Sequence, residues 1–221
     1  MEKTVPAFLD HGERSGKMNH YKHLADSVVY STRGLKAALI HKAPSLKLIG
    51  EGRSAFAFRI NGTNLVLKVF FPQFEKVAEE EAGIYKELAG NPFFPTLHEA
   101  GSNYLVMDYV RGMTLYQCLV NGMPIAAGYI DEVDHALKLV REKGLNPSDI
   151  HLRNIIITPE DEVKLIDVAR FRQAKQCSQW EDLKSAFYKY YRHERFPKKM
   201  PEPAMNLIAY FYKKGLLPSI N

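Results

Sequence analysis

The residues able to do chemistry in this sequence occur in a fixed order. Gly50 and Gly52, in the run GEGRSA, let backbone N–H groups approach an anion closely, as phosphate-cradling loops do. Lys68 stands among apolar neighbours in LVLKVF, where a cation is costly unless it is paired or faces a site. Glu79, Glu80 and Glu81 follow as available partners. Asp149 and Asn154 lie five residues apart in a polar loop before an apolar strand. An acid and an amide in that setting suit proton acceptance and metal ligation. Asp167 ends the run KLID and puts a carboxylate at a strand end, a common metal position. Each feature alone has a plainer explanation: a glycine turn, an edge-strand lysine facing water, a solvated loop, a turn cap.

The elements that must position these residues follow from periodicity. LKLIGEGRSAFAFRI and NGTNLVLKVF read as two strands joined at Asn61-Gly62, with Pro72 stopping the second. Residues 74–89 read as a helix that buries Val77, Ile84 and Leu88 and stops at Gly90-Asn91-Pro92. Two further strands are expected near 96–101 and 103–109. Residues 125–143 carry Ile130, Val133, Leu137 and Val140 as one helical stripe, with Gly144 as its C-cap. Ile155–Ile157 and Val163–Ile166 form a short hairpin across a Pro159–Glu162 turn. Upstream, residues 1–20 are polar. Leu24, Val28, Leu35 and Leu39 predict one or two short helices over 21–40. The tail from 178 onward reads as helical and aromatic-rich.

Glycine loop, strand lysine, helix glutamate, Asp-x4-Asn and then Asp is the order of the protein-kinase signature set. Asp149 and Asp167 are 18 residues apart, enough for a catalytic loop and one hairpin. On these motifs the sequence resembles the protein-kinase-like superfamily from about Leu48 to Phe171. The resemblance implies an α+β, bilobal protein-kinase-like fold. Residues 1–45 would be an N-terminal helical extension, 46–108 a β-rich N-lobe with one main helix, and 109–221 a reduced helical C-lobe.

The resemblance also implies roles. Gly50 and Gly52 take the first two positions of the glycine-rich loop, and Ala55 stands where a third glycine is usual. Ala57 and Val66 join them in holding ATP, and Lys68 contacts its α/β-phosphates. Glu81 partners the lysine, because Leu88 then falls at the buried position seven further on; Glu80 is the other choice. Met107 is the gatekeeper, and the backbone of Asp108 and Val110 holds the adenine edge. Asp149 is the catalytic base, and Asn154 and Asp167 ligate Mg²⁺. His151, two residues after the base, either contacts phosphate or packs the loop. Glu181-Asp182 resembles, loosely, the segment that braces the catalytic loop.

Several departures narrow the type. The usual His-Arg-Asp reads Pro147-Ser148-Asp149, so the Arg that meets a phosphorylated activation loop is missing. Asp-Phe-Gly reads Asp167-Val168-Ala169, and no Ala-Pro-Glu follows. This is the pattern of a minimal, atypical kinase of the RIO or lipopolysaccharide-kinase kind. It is similar to small serine/threonine kinases of Bacillus-type bacteria, especially through GLNPSDIHLRNIII.

Three functions follow. The first is an ATP- and Mg²⁺-dependent kinase acting on a protein Ser/Thr hydroxyl. The second is a small-molecule, sugar or lipid-headgroup kinase on the same fold. The third is an inert nucleotide- or RNA-binding scaffold.

Composition bounds these readings. The chain has 221 residues, 46% hydrophobic and 25% charged, which excludes a wholly disordered protein. No apolar stretch approaches the ~18 residues of a membrane span, and the N-terminus is too charged for a signal peptide. Two cysteines in a chain this long predict a reducing, cytoplasmic setting. The formal charge is +5, but Arg170 to Lys199 alone holds nine Lys/Arg against three acids, along with seven aromatics. A solvated helix face explains that stretch; so does docking of an acidic or RNA-containing acceptor.

Overall fold

Strand alternation builds the first part of the chain. In the computed structural model, which describes residues 20–31 and 37–214, a short helix α1 (20–26) leads into a hairpin of β1 (Val29–Ser31) and β2 (Ala38–His41). A five-stranded antiparallel sheet follows, in the order β3-β4-β5-β7-β6. Its strands are β3 (Leu46–Glu51), β4 (Ala55–Ile60), β5 (Leu65–Phe70), β6 (Leu97–Ala100) and β7 (Tyr104–Asp108). Side chains alternate between its two faces. One face carries Phe56, Phe58, Leu67, Val69, Tyr104 and Val106, packed in one core with Leu24, Ala25 and Val28. The other carries Ala57, Val66, Lys68 and Met107. Helix α2 (Glu75–Glu87) lies over this second face, since Glu81 reaches Lys68.

Two expectations change here. LKLIGEGRSAFAFRI is two strands rather than one, because Gly52–Ser54 turn the chain and β3 pairs antiparallel with β4. Among the described residues of 21–40, the helical expectation holds over 21–26. The aromatic and β-branched run after Val28 forms strand instead, and the Tyr30 ring packs against Phe56 and Phe71. Leu39 is therefore on β2, and Leu35 lies outside the described residues.

The chain divides into two compact units, Met1–Ala82 with Leu97–Tyr109, and Gly83–Thr96 with Val110–Asn221. The division falls inside α2. It groups residues 83–96 with the second unit, whereas a boundary at 108/109 would keep them with the sheet.

The second unit holds a small sheet in the order β10-β9-β8, made of β8 (Met113–Thr114), β9 (Ile155–Ile157) and β10 (Val163–Leu165). Helices α3 (Leu115–Asn121) and α4 (Ala127–Glu142) lie between β8 and β9 in sequence, and α5 (Gln179–Ala186), a π-helical turn at Phe187–Tyr191 and α6 (Glu202–Lys213) follow β10. Helix α3 was not among the sequence expectations. Its signal is a capping box: the Thr114 hydroxyl accepts from the Gln117 N–H, and the Gln117 side chain accepts from the Thr114 N–H. Helix α4 buries Ile130, Val133, Ala136, Leu137 and Val140, the expected stripe plus one alanine. Gly144, at φ +77°, turns the chain out of α4 in a conformation that suits glycine. The two cysteines are free, and burial pushes the Cys118 thiol up from its ordinary pKa. Among the described residues, no helix is long and apolar enough to cross a membrane.

Candidate functional site

The candidate residues fall into two groups, one in each unit. In the first unit, strand register assembles the set expected to hold a nucleotide. Ala57 pairs with Lys68, Lys68 with Leu105, and Val66 with Met107, so Ala57, Val66, Lys68 and Met107 share one face. Lys68 sits mid-strand with 15% of its side chain exposed. Its Nζ donates to both Glu81 carboxylate oxygens at 2.7 Å, and Glu81 is fully buried. Glu80 is exposed, so burial singles out the third glutamate of the run. Two close bonds satisfy the pair, as a buried charge requires.

The glycine loop follows the β3–β4 connection. Gly50 lies opposite Ala57, next to a register shift between Leu48 and Gly50. The Gly52 N–H donates to the Ala55 carbonyl at 2.9 Å, and a Cβ on Gly52 would stand 3.2 Å from that oxygen. The loop is tight, with Ala55 buried where a third glycine is usual. Met107 is buried at the end of β7. Asp108 pairs with His98 Nε2 at 2.6 Å, and the Tyr109 N–H donates to the Asn64 carbonyl at 2.8 Å. Val110 begins the longer segment of the second unit.

In the second unit, Asp149, Asn154 and Asp167 are gathered by backbone and amide bonds. Asn154 is buried, and its Nδ2 donates to the Asp149 carbonyl at 3.2 Å. The Ile166 N–H donates to the Asn154 carbonyl at 2.9 Å, bringing the end of β10 beside the loop. The Asp167 N–H donates to Tyr85 Oη at 3.2 Å. Asp149 and Asp167 both have left-handed backbone, φ 62° and 64°. That conformation costs roughly 1–2 kcal/mol for a residue with a Cβ, and such residues gather at functional sites.

The donor set fits Mg²⁺. The NH₂ end of Asn154 is committed to the loop, which leaves its amide oxygen for a cation, and Asp167 is exposed. Both are hard oxygen donors. Mg²⁺ keeps several waters, so one carboxylate and one amide suffice from the protein. His151 Nδ1 accepts from the Arg153 N–H at 3.3 Å, and the Arg153 guanidinium lies 3.4 Å from the centre of the Tyr116 ring.

Sequence reasoning missed the fastening of the segment after Asp167. Asn146 Nδ2 donates to the carbonyls of Gln173 and Lys175 at 2.7 and 3.1 Å, and the Asn146 N–H donates to the Phe171 carbonyl at 2.7 Å. Arg172 pairs with Glu87, and Arg170 Nε lies 3.2 Å from Asp149 Oδ2. These partners are 20 or more residues apart in sequence, so no local spacing signals them. Glu181 and Asp182 engage their helical surroundings. Glu181 pairs with Lys184, and Asp182 accepts from Ser178 and Tyr212.

The basic tail is partly consumed inside the unit. Lys184 pairs with Asp134, whose carboxylate also accepts from Trp180 Nε1, and Lys198 donates to the Tyr191 carbonyl. Phe171, Trp180, Phe187 and Tyr191 are buried, so four of the seven aromatics serve the core. Tyr188 and Tyr190 are exposed.

No family model matches the chain. The chain is 46% identical over 193 residues to the Bacillus subtilis (strain 168) protein named "Putative serine/threonine-protein kinase YrzF", covering 86% of this chain and 90% of that protein. It is 32% identical over 97 residues to the "Probable cAMP-dependent protein kinase catalytic subunit" of Encephalitozoon cuniculi (strain GB-M1), covering 40% of this chain and 30% of that protein.

Proposed function

The chain belongs to the protein-kinase-like superfamily, and on that premise we propose that it is an ATP- and Mg²⁺-dependent kinase acting on a protein Ser/Thr hydroxyl. The observation that carries the reading is the buried Lys68–Glu81 pair. A buried ion pair adds little stability over apolar packing, so a fixed cation in a sheet face calls for a functional reason. Lys68 neutralises phosphate oxygens while Glu81 fixes its rotamer. Ala57, Val66 and Met107 offer an apolar surface to the adenine, and Gly50 and Gly52 bring backbone N–H groups to the phosphates. Asp149 accepts the proton of the acceptor hydroxyl. Asn154 and Asp167 would hold Mg²⁺, which neutralises charge on the β- and γ-phosphates when bound. Phosphoryl transfer depends on this positioning and charge neutralisation more than on covalent chemistry.

Incubation with radiolabelled ATP and Mg²⁺, with protein extract and a metabolite pool as separate acceptors, tests the reading. Label should pass to protein in the wild type and be lost in Asp167→Ala. Equal labelling by both proteins would overturn it.

A small-molecule acceptor is the second reading. It is favoured by the short segment after Asp167, which Asn146 ties down. Label entering the metabolite pool alone would select it.

A further inference from the structure

The basic side chains around Asp149 are not equally placed for chemistry. His151 and Arg153 belong to the Asp149 loop, but His151 engages the loop backbone and Arg153 stacks on Tyr116. Arg170 arrives from a different segment, on a turn closed by the Phe171 N–H donating to the Val168 carbonyl at 3.0 Å. Val168 and Phe171 are both buried, and Phe171 meets Phe94 edge-on at 6.2 Å between ring centres. The Asn146 N–H holds the Phe171 carbonyl at 2.7 Å. The turn is thus pinned at both ends, which presents the Arg170 guanidinium to Asp149 at 3.2 Å. Arg170 itself is half-exposed, so leaving that carboxylate costs little.

We propose that Arg170 is the catalytic cation that meets the transferred phosphoryl group; the inference rests on the kinase reading above. In the resting protein Arg170 neutralises Asp149. With ATP and acceptor present, its planar fork turns to the γ-phosphoryl oxygens, where charge spreads in the transition state. The acceptor oxygen bonds to the γ-phosphorus as the bond to the β-phosphate oxygen breaks. The hydroxyl proton passes to Asp149, and ADP leaves with the electron pair. Arg170 keeps its charge and exchanges no proton.

Titration calorimetry with Mg²⁺-ATP and Mg²⁺-ADP, alongside steady-state rates, tests this in the wild type, Arg170→Met and Arg170→Lys. Arg170→Met should lower the ATP-over-ADP affinity ratio about tenfold, with ADP affinity held. Its kcat should fall by about 100-fold or more, with a smaller change in KM. Arg170→Lys, which keeps charge without the fork, should recover part of both. An unchanged affinity ratio and kcat in Arg170→Met would overturn the proposal. So would equal losses of ATP and ADP affinity in both variants with a lowered Tm, since that marks a brace. A wild type that binds neither nucleotide ends the kinase reading itself, and the proposal with it.

Discussion

Lys68 and Glu81 are held by packing, a strand under one and a helix under the other, with the glutamate fully buried. Asp149 and Asp167 are held on loops, the first half-exposed and the second exposed, each in left-handed backbone. The first pair gives up solvent and recovers it as two close bonds. The second pair keeps solvent and gives up backbone comfort. A cation that must stay still is suited to the interior, where dense packing restricts movement. Acids proposed to meet a metal, a hydroxyl and a proton need an open side, and here local hydrogen bonds position them instead.

Replacing the acids breaks the comparison most sharply. Asp149→Gly and Asp167→Gly should each lower phosphoryl transfer by about 100-fold or more. Their thermal midpoints should stay within a few degrees of wild type, because glycine relieves the left-handed strain while adding unfolded-state entropy. A large loss of Tm in either would mean that these acids are structural.

Glu81→Ala should do the reverse. It removes the buried carboxylate that takes two bonds from Lys68, and denaturant titration should show a loss of about 3 kcal/mol. The double variant Lys68→Met/Glu81→Leu should recover most of that stability and none of the activity.

Asn146→Ala should cost about 1–2 kcal/mol, for two lost side-chain bonds to carbonyls. Hydrogen exchange should report the effect mainly over 168–177.

Tyr212→Phe should have the smallest effect, under about 1 kcal/mol, with activity unchanged. Burial and the bond to Asp182 push the Tyr212 hydroxyl up to about 12. The folded state therefore favours the neutral phenol. Its contribution is fully present below the ordinary value of 10.0 and fades as pH rises toward about 12. Melts in that window should show the gap between wild type and variant closing.

Local rules made much of this legible. Alternation around Lys68 marks a cation in need of a partner; the resemblance implies a glutamate on the next helix, and the step to Leu88 favours Glu81 over Glu80, which burial then separates. The stripe on α4 and the Asn61-Gly62 turn needed no tertiary information either. The α3 capping box, Thr114 with Gln117, is equally local. The hairpin at Val29–His41 escaped because four leucines and valines near helical spacing outweighed a strand pairing that only the packing of Tyr30 reveals. Arg170 and Asn146 lay beyond any local rule, since each acts on partners fixed by the return of the chain past the β9–β10 hairpin.

The fastening at Asn146 has a chemical lifetime. Asparagine side chains age when the next residue's backbone nitrogen loses its proton and attacks the amide carbon, eventually leaving a carboxylate. Here the next residue is Pro147, whose nitrogen has no proton to lose. That protects a position where a new negative charge would face the carbonyls of Gln173 and Lys175. The fast-ageing Asn-Gly steps of this chain are Asn61-Gly62 and Asn121-Gly122, both at exposed asparagines, where the Asn61 side chain donates to the Pro44 carbonyl and the Asn121 side chain to the Gln117 carbonyl. Stored protein should therefore collect its first such lesions at these two exposed steps, while the segment beside Asp149 keeps its amide.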